Sequence, residues 1–160
     1  MHSYYDTIAP GYTELYRDEQ LAKARFIQSK FIARGNLLDI GAGTGISSEL
    51  FIPHVDTVTL LDPSKALLDQ CSFPSTKIIG YAEHLPFPDK SFDTIISLTA
   101  LHHCNLQKAL AEIERIAKPG AWIAISILKQ SAAASQHSLF ISFHYTLYEN
   151  DKDLFFIQQK

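Results

Sequence analysis

The sequence predicts an α/β domain, doubly wound around a mostly parallel seven-stranded sheet that ends in an antiparallel hairpin. Three observations predict it. Five short, largely apolar and mostly β-branched runs recur between residues 36 and 127, as strands buried on both faces do. Helical patterns stand between them, which is the rhythm of βαβ units crossing over right-handed into a parallel sheet. The tail then alternates apolar with polar residues, as in strands with one wetter face.

Each element follows from its own pattern. Leu21, Ala24, Ile27 and Phe31 recur at three- to four-residue spacing, predicting an amphipathic helix over 17–31, and Gly35 ends the loop behind it. The buried strands are NLLDI (36–40), TVTLL (57–61), KIIG (77–80), FDTIISL (92–98) and AWIAISI (121–127). The clearest helix is Asn105 to Ala117, with Leu106, Ala109, Leu110, Ile113 and Ile116 on one face, Asn105 as its N-cap and KPG at 118–120 as its stop. In ISFHYTL (141–147), Ile141, Phe143, Tyr145 and Leu147 alternate with Ser142, His144 and Thr146, which predicts a strand. ENDKD (149–153) turns it into LFFIQQ (154–159), completing the hairpin. SAAAS at 131–135 is either a short helix or a linker. The 160 residues suit one domain, with capping helices over 1–34, a βαβ core over 35–128 and a shortened hairpin over 129–160.

Composition narrows the function classes. With 46% hydrophobic and 19% charged residues the chain is globular, and a net charge of -3 offers no broad attraction to nucleic acid. Cys71 and Cys104 make neither a disulfide framework nor a CxxC metal motif, so a reducing, cytoplasmic compartment is expected. The opening MHSYYDTIAPGY lacks the basic patch and apolar run of a secretion signal. The longest apolar stretches, such as AWIAISIL, fall far short of the roughly 20 residues that span a bilayer, so no membrane span is expected.

LLDIGAGTGISSEL (37–50) carries the first chemical signal. Gly41, Gly43 and Gly45 sit where the first strand turns toward a helix, so the backbone bends tightly and bare amides admit a ligand. A dinucleotide fingerprint needs a glycine where Ile46 stands, which makes an NAD-dependent oxidoreductase the weaker reading. Asp39, directly before the loop, would repel a phosphate but accept hydrogen bonds from an ammonium group. Asp62 ends the second strand 17 residues after Gly45, where a carboxylate takes both hydroxyls of a ribose. Ribose plus ammonium without a diphosphate describes S-adenosylmethionine.

On these residues the chain resembles the class I S-adenosylmethionine-dependent methyltransferases, Rossmann-like in fold, of the ubiquinone-biosynthesis-like (type 11) group. YYDTIAPGY, LLDIGAGTG, LLDPS, AEHLPFPDKSFDTIIS (82–97) and ALHHCNLQKALAEIERIAKPG (100–120) match that group's motifs in order. The resemblance implies that Gly41, Gly43 and Gly45 line the methionine moiety, that Asp39 meets its amino group and that Asp62 holds the ribose. Pro63 and Ser64 would flank the adenine, with Ala82, Glu83, Leu98 and Tyr12 completing the cofactor set. Tyr81 stands where the family has an aspartate facing the adenine amino group; the Ala82 amide still contacts the ring, Tyr81 stacks on it, or Glu83 takes over.

Methyl transfer from a sulfonium is an in-line displacement that needs mainly positioning and desolvation. Where the acceptor must lose a proton, His102 or His103 after the fourth strand is placed to remove it, His102 being the choice because Leu101-His102 resembles the phosphoethanolamine methyltransferases. There a histidine pairs with an N-terminal tyrosine, here Tyr5 or Tyr12; Tyr4, Tyr5, Tyr12 and Tyr16 would form a lid or simply pack. His102, His103 and Cys104 diverge as chain neighbours, so no metal is expected. SLTALHHC replaces the Asn- or Asp-Pro-Pro-aromatic tetrapeptide of relatives that methylate planar nitrogens, which argues against base and glutamine acceptors. Only 11 residues, Lys129 to Leu139, join the fifth strand to the hairpin, so the acceptor side is open or completed by a protein partner. The expected function is methyl transfer to a small molecule; the alternative is a non-catalytic S-adenosylmethionine-binding subunit.

Overall fold

Seven strands form one sheet in the order β3-β2-β1-β4-β5-β7-β6 in the computed structural model, which describes residues 16–160. They are β1 (Asn36–Ile40), β2 (Thr57–Asp62), β3 (Thr76–Ile79), β4 (Phe92–Leu98), β5 (Ala117–Leu128), β6 (Thr146–Glu149) and β7 (Asp153–Gln159). β1 to β5 are parallel, and β7 lies antiparallel between β5 and β6. The helices are α1 (16–28), α2 (Ile46–Glu49), α3 (Lys65–Leu68), α4 (Leu106–Ile116) and α5 (His137–Ser142). After β3 the chain crosses to the other side of β1, so the strand order reverses between β1 and β4. In doubly wound sheets the crevice for a ligand opens at the carboxyl ends of the strands at such a point.

Two apolar layers cover the sheet. Strand alternation sends Leu37 of β1 to the layer shared with Ala24 and Ile27 of α1, and Leu38 and Ile40 to the layer shared with α4. Asp39, two residues from Leu37, therefore belongs to the α1 side. α4 begins as its sequence predicts, with Asn105 Oδ1 accepting from Lys108 N at 3.1 Å. Its Leu106, Ala109, Leu110, Ile113 and Ile116 are all buried against the sheet. Ile113 is fully buried, so Ile113→Ala is expected to cost about 2–5 kcal/mol, read as a shift in the denaturation midpoint.

The tail departs from its predicted pattern. The strand expected over 141–147 exists only from Thr146, because Ile141 and Ser142 end α5. Phe140, fully buried, stacks on Phe156 from within α5, with ring centroids 3.8 Å apart. His144 at φ 66° then turns the chain into β6, so the alternating residues never share one extended segment. The crossover from β5 thus occupies residues 129–145 rather than 11 residues, and SAAAS contributes to a 3-10 turn over Ala132–Gln136. Residues 149–153 do close the hairpin: Asn150 Oδ1 accepts from the amides of Lys152 and Asp153 at 2.9 and 2.7 Å. KPG ends α4 but already lies within β5, which starts at Ala117 opposite Phe92 and bulges before Trp122 pairs with Thr94.

Candidate functional site

The cleft forms where the topology places it, at the carboxyl ends of β1, β2 and β4. Its volume is about 200 Å³. Gly41, Gly43, Asp62, Pro63, Ser64, Ala82, Glu83 and Leu98, all expected from the sequence, line it. Gly41 carries φ 71°, and a Cβ built on it would stand 2.2 Å from Ala100 Cβ. Only a glycine lets the turn after β4 approach that closely. Gly45 faces away from the cleft: at φ 83° its Cβ would meet Leu60 Cδ1 and Phe73 Cζ at 3.0 Å, so it shapes the loop from behind.

The two carboxylates have different surroundings. Asp62 Oδ2 accepts from Gly43 N at 2.9 Å and Oδ1 from Ser64 N at 2.7 Å, so its charge joins the glycine loop to the turn after β2. Asp39 is fully buried behind the loop; its Oδ2 accepts from Ser48 Oγ at 2.7 Å, while Oδ1 has no hydrogen-bond partner. Burial pushes its pKa up to about 7, with the Asp62 charge adding to the rise and the Ser48 and Ser47 hydroxyls opposing it. A buried carboxylate with an unsatisfied oxygen is costly unless something cationic arrives.

The far wall belongs to the segments after β3 and β4. Tyr81 is half-exposed at the rim and Ala82 is buried. Glu83 Oε1 accepts from Asn105 N at 2.8 Å, so that carboxylate is committed to the start of α4. Thr99, Ala100, Leu101, His103 and Cys104 continue the wall past Leu98. Burial lowers the His103 pKa and pushes the Cys104 thiol up to about 12, leaving both neutral.

His102 lies elsewhere. It lines a second cleft of about 460 Å³ with Tyr16, Glu19, Lys129 and Lys152. Thr99 lines both clefts and forms the wall between them. His102 Nδ1 is buried without a partner, and burial, then the His103 ring and the Lys23 charge, lower its pKa to about 4. Tyr4, Tyr5 and Tyr12 fall outside the described residues. Sequence reasoning missed Thr99 and Lys23. Lys23 had a legible signal, since Gln20 and Lys23 share the buried face of α1 with Ala24 and Ile27 and interrupt an apolar stripe. Among the described residues no cluster of His, Cys, Asp and Glu could hold a metal, and no helix is long and apolar enough to cross a membrane.

This crevice, with a glycine loop on one side and an acidic strand end on the other, defines an α/β nucleotide-type site. Residues 38–125 match the family described as Methyltransferase domain, and the chain belongs to that family, the class I S-adenosylmethionine-dependent methyltransferases. It is 35% identical over 120 residues to an uncharacterised methyltransferase of Bacillus subtilis, covering 66% of this chain and 47% of that one. The chain spans about half the length of the curated relatives it matches. Its fold is shared with a DhpI complex with SAH, at TM-score 0.82 and 16% identity over 99% of this chain and 94% of that one. It is also shared with a methyltransferase from a Haloferax volcanii complex with the Trm112 activator, at TM-score 0.77 and 19% identity over 91% and 77% of the chains.

Proposed function

We propose that the protein transfers the methyl group of S-adenosylmethionine to a small-molecule acceptor. The observation that carries this reading is Asp39 Oδ1, a buried carboxylate oxygen without a partner beside the glycine loop. An α-ammonium group supplies both the charge and the hydrogen bond it lacks. Asp62, oriented at the cleft by the amides of Gly43 and Ser64, would take the ribose hydroxyls. Gly41 and Gly43 would admit the methionine chain, and Pro63, Ser64, Ala82 and Leu98 would enclose the nucleoside. Tyr81 at the rim suits stacking on the adenine, since Glu83 is held by Asn105.

When bound, the cofactor supplies a methyl group on a positively charged sulfur, open to in-line attack by a lone pair. The chain's task is then to hold the acceptor in line and exclude water. The second cleft, one residue away across Thr99, suits the acceptor, and a small polar molecule fits its charged rim. His102 there is neutral at physiological pH, but a pKa of about 4 makes it a weak base. Its role is to orient the acceptor by hydrogen bonding, which revises the general-base role expected from the sequence.

A second reading, a cofactor-binding subunit needing a partner, draws on the activator complex of the Haloferax relative. One experiment separates the two. The protein is incubated with methyl-labelled cofactor and fractionated cell extract, and label is expected in the small-molecule fraction. Cofactor binding with no transfer to any fraction would favour the subunit reading. Micromolar affinity is expected for S-adenosylmethionine, on the order of -8 kcal/mol, and none for NAD.

A further inference from the structure

Lys23 is buried inside the fold, with a side chain only 3% exposed. Its ammonium lies 2.8 Å from Glu19 Oε1 on its own helix and 3.0 Å from Asp153 Oδ1 at the start of β7. The Asp153 contact is one of charge, off the line of a hydrogen bond. The hydrogen bond goes to Thr99: Lys23 Nζ donates to Thr99 Oγ1 at 2.7 Å. Thr99 sits at φ 58°, in the left-handed region that a β-branched residue avoids. Such a conformation persists only where its surroundings impose it, and it concentrates at functional sites. Here the Thr99 amide donates to Ser126 O at 3.1 Å and Ser126 Oγ at 3.0 Å, while Lys23 at 2.7 Å and, more weakly, Ser126 Oγ at 3.4 Å hold the side chain. The next residue, Ala100, is the one that seats on Gly41 of the glycine loop.

We infer that Lys23 is a positioning residue for the cofactor cleft: by holding Thr99 Oγ1 it fixes the left-handed turn that docks Ala100 on Gly41. α1 is thereby coupled to the glycine loop through the Lys23–Thr99 bond, across the wall that separates the two clefts. The inference rests on the proposed use of the cleft by S-adenosylmethionine. A purely structural reading would have the Lys23–Asp153 pair fasten α1 to the sheet and leave the cleft indifferent.

The test compares S-adenosylhomocysteine affinity by calorimetry, with melting temperature, in the wild type and in K23M, T99V and K23M/T99G. No binding by the wild type would sink the functional reading itself, before this inference is reached. Given wild-type binding, T99V removes the Oγ1 acceptor while keeping the Lys23–Asp153 pair, and affinity is expected to fall at least fivefold. K23M is expected to lose tenfold or more and to melt lower, because Asp153 is left unpaired. In K23M/T99G the affinity is expected to recover to within threefold of the wild type, since glycine adopts that φ freely, while the melting temperature stays low. T99V binding as tightly as the wild type, or a K23M loss that glycine does not restore, would overturn the inference. Should K23M fail to fold, T99V alone decides it.

Discussion

Asp39→Asn is expected to weaken S-adenosylhomocysteine binding by about 2–5 kcal/mol, at least 30-fold, while raising the stability of the free protein at pH 7.5. Both effects come from one buried oxygen. In the free protein the Asp39 charge is desolvated, stands near Asp62 and has one oxygen unpaired. Its folded pKa of about 7 lies above the ordinary 3.8. A raised pKa means that its favourable contribution to folding is full below pH 4 and is lost as pH rises through 7, a swing of about 4 kcal/mol. Asparagine carries no charge and escapes that loss, but it cannot pair with an ammonium. Denaturation at pH 5 and pH 7.5 should therefore show the wild type weakening with pH more than the variant does.

Binding should show the opposite dependence. The cation requires the carboxylate, so wild-type affinity is expected to fall as pH drops below 7, by up to about 30-fold at pH 5.5. The Asp39→Asn variant should bind weakly and almost independently of pH over that range. A wild-type affinity that stays flat from pH 7.5 to 5.5 would remove Asp39 from the ammonium contact.

The second large effect is expected at Gly41. Gly41→Ala places a Cβ 2.2 Å from Ala100 Cβ on a backbone at φ 71°. The left-handed conformation costs alanine about 1–2 kcal/mol, and relieving the overlap costs about 1–3 kcal/mol more. Because the overlap pushes the turn after β4 off the glycine loop, cofactor affinity should fall tenfold or more along with stability. Adding Ala100→Gly removes the overlap but not the backbone cost, so the double variant should regain more than half of the lost stability. If that second change restores nothing, the close seating of the two turns does not govern the cleft.

The legible and illegible parts of this protein differ in the range of the interactions involved. The strands β1, β2, β4 and β5 are readable because each is a local apolar run, and α4 because its apolar face and Asn105 cap lie within a dozen residues; β3, expected to be buried on both faces, is instead the edge strand of the sheet and leaves Ile79 exposed. Asp39 and Asp62 are readable because their chemistry follows from their place at strand ends. The start of α5 is not, because Phe140 is drawn into a helix by Phe156 from the last strand, and that contact outweighs the alternation of 141–147. Lys23 and Thr99 meet across 76 residues: the break Lys23 makes in the apolar stripe of α1 marks it as buried, but nothing local to either residue names its partner. His102 and His103 are chain neighbours that face different clefts, a division set by the 3-10 turn over Leu101–His103 rather than by residue type.

The most direct test of the Asp39 seat compares two ligands that share a nucleoside and differ in the amino acid. S-Adenosylhomocysteine and 5′-methylthioadenosine are titrated calorimetrically into the wild type and into Asp39→Asn at pH 7.5. The wild type should prefer S-adenosylhomocysteine at least 30-fold, and the preference should collapse in the variant. Equal affinity of the wild type for both ligands, or a preference that survives the loss of the carboxylate, would contradict the account.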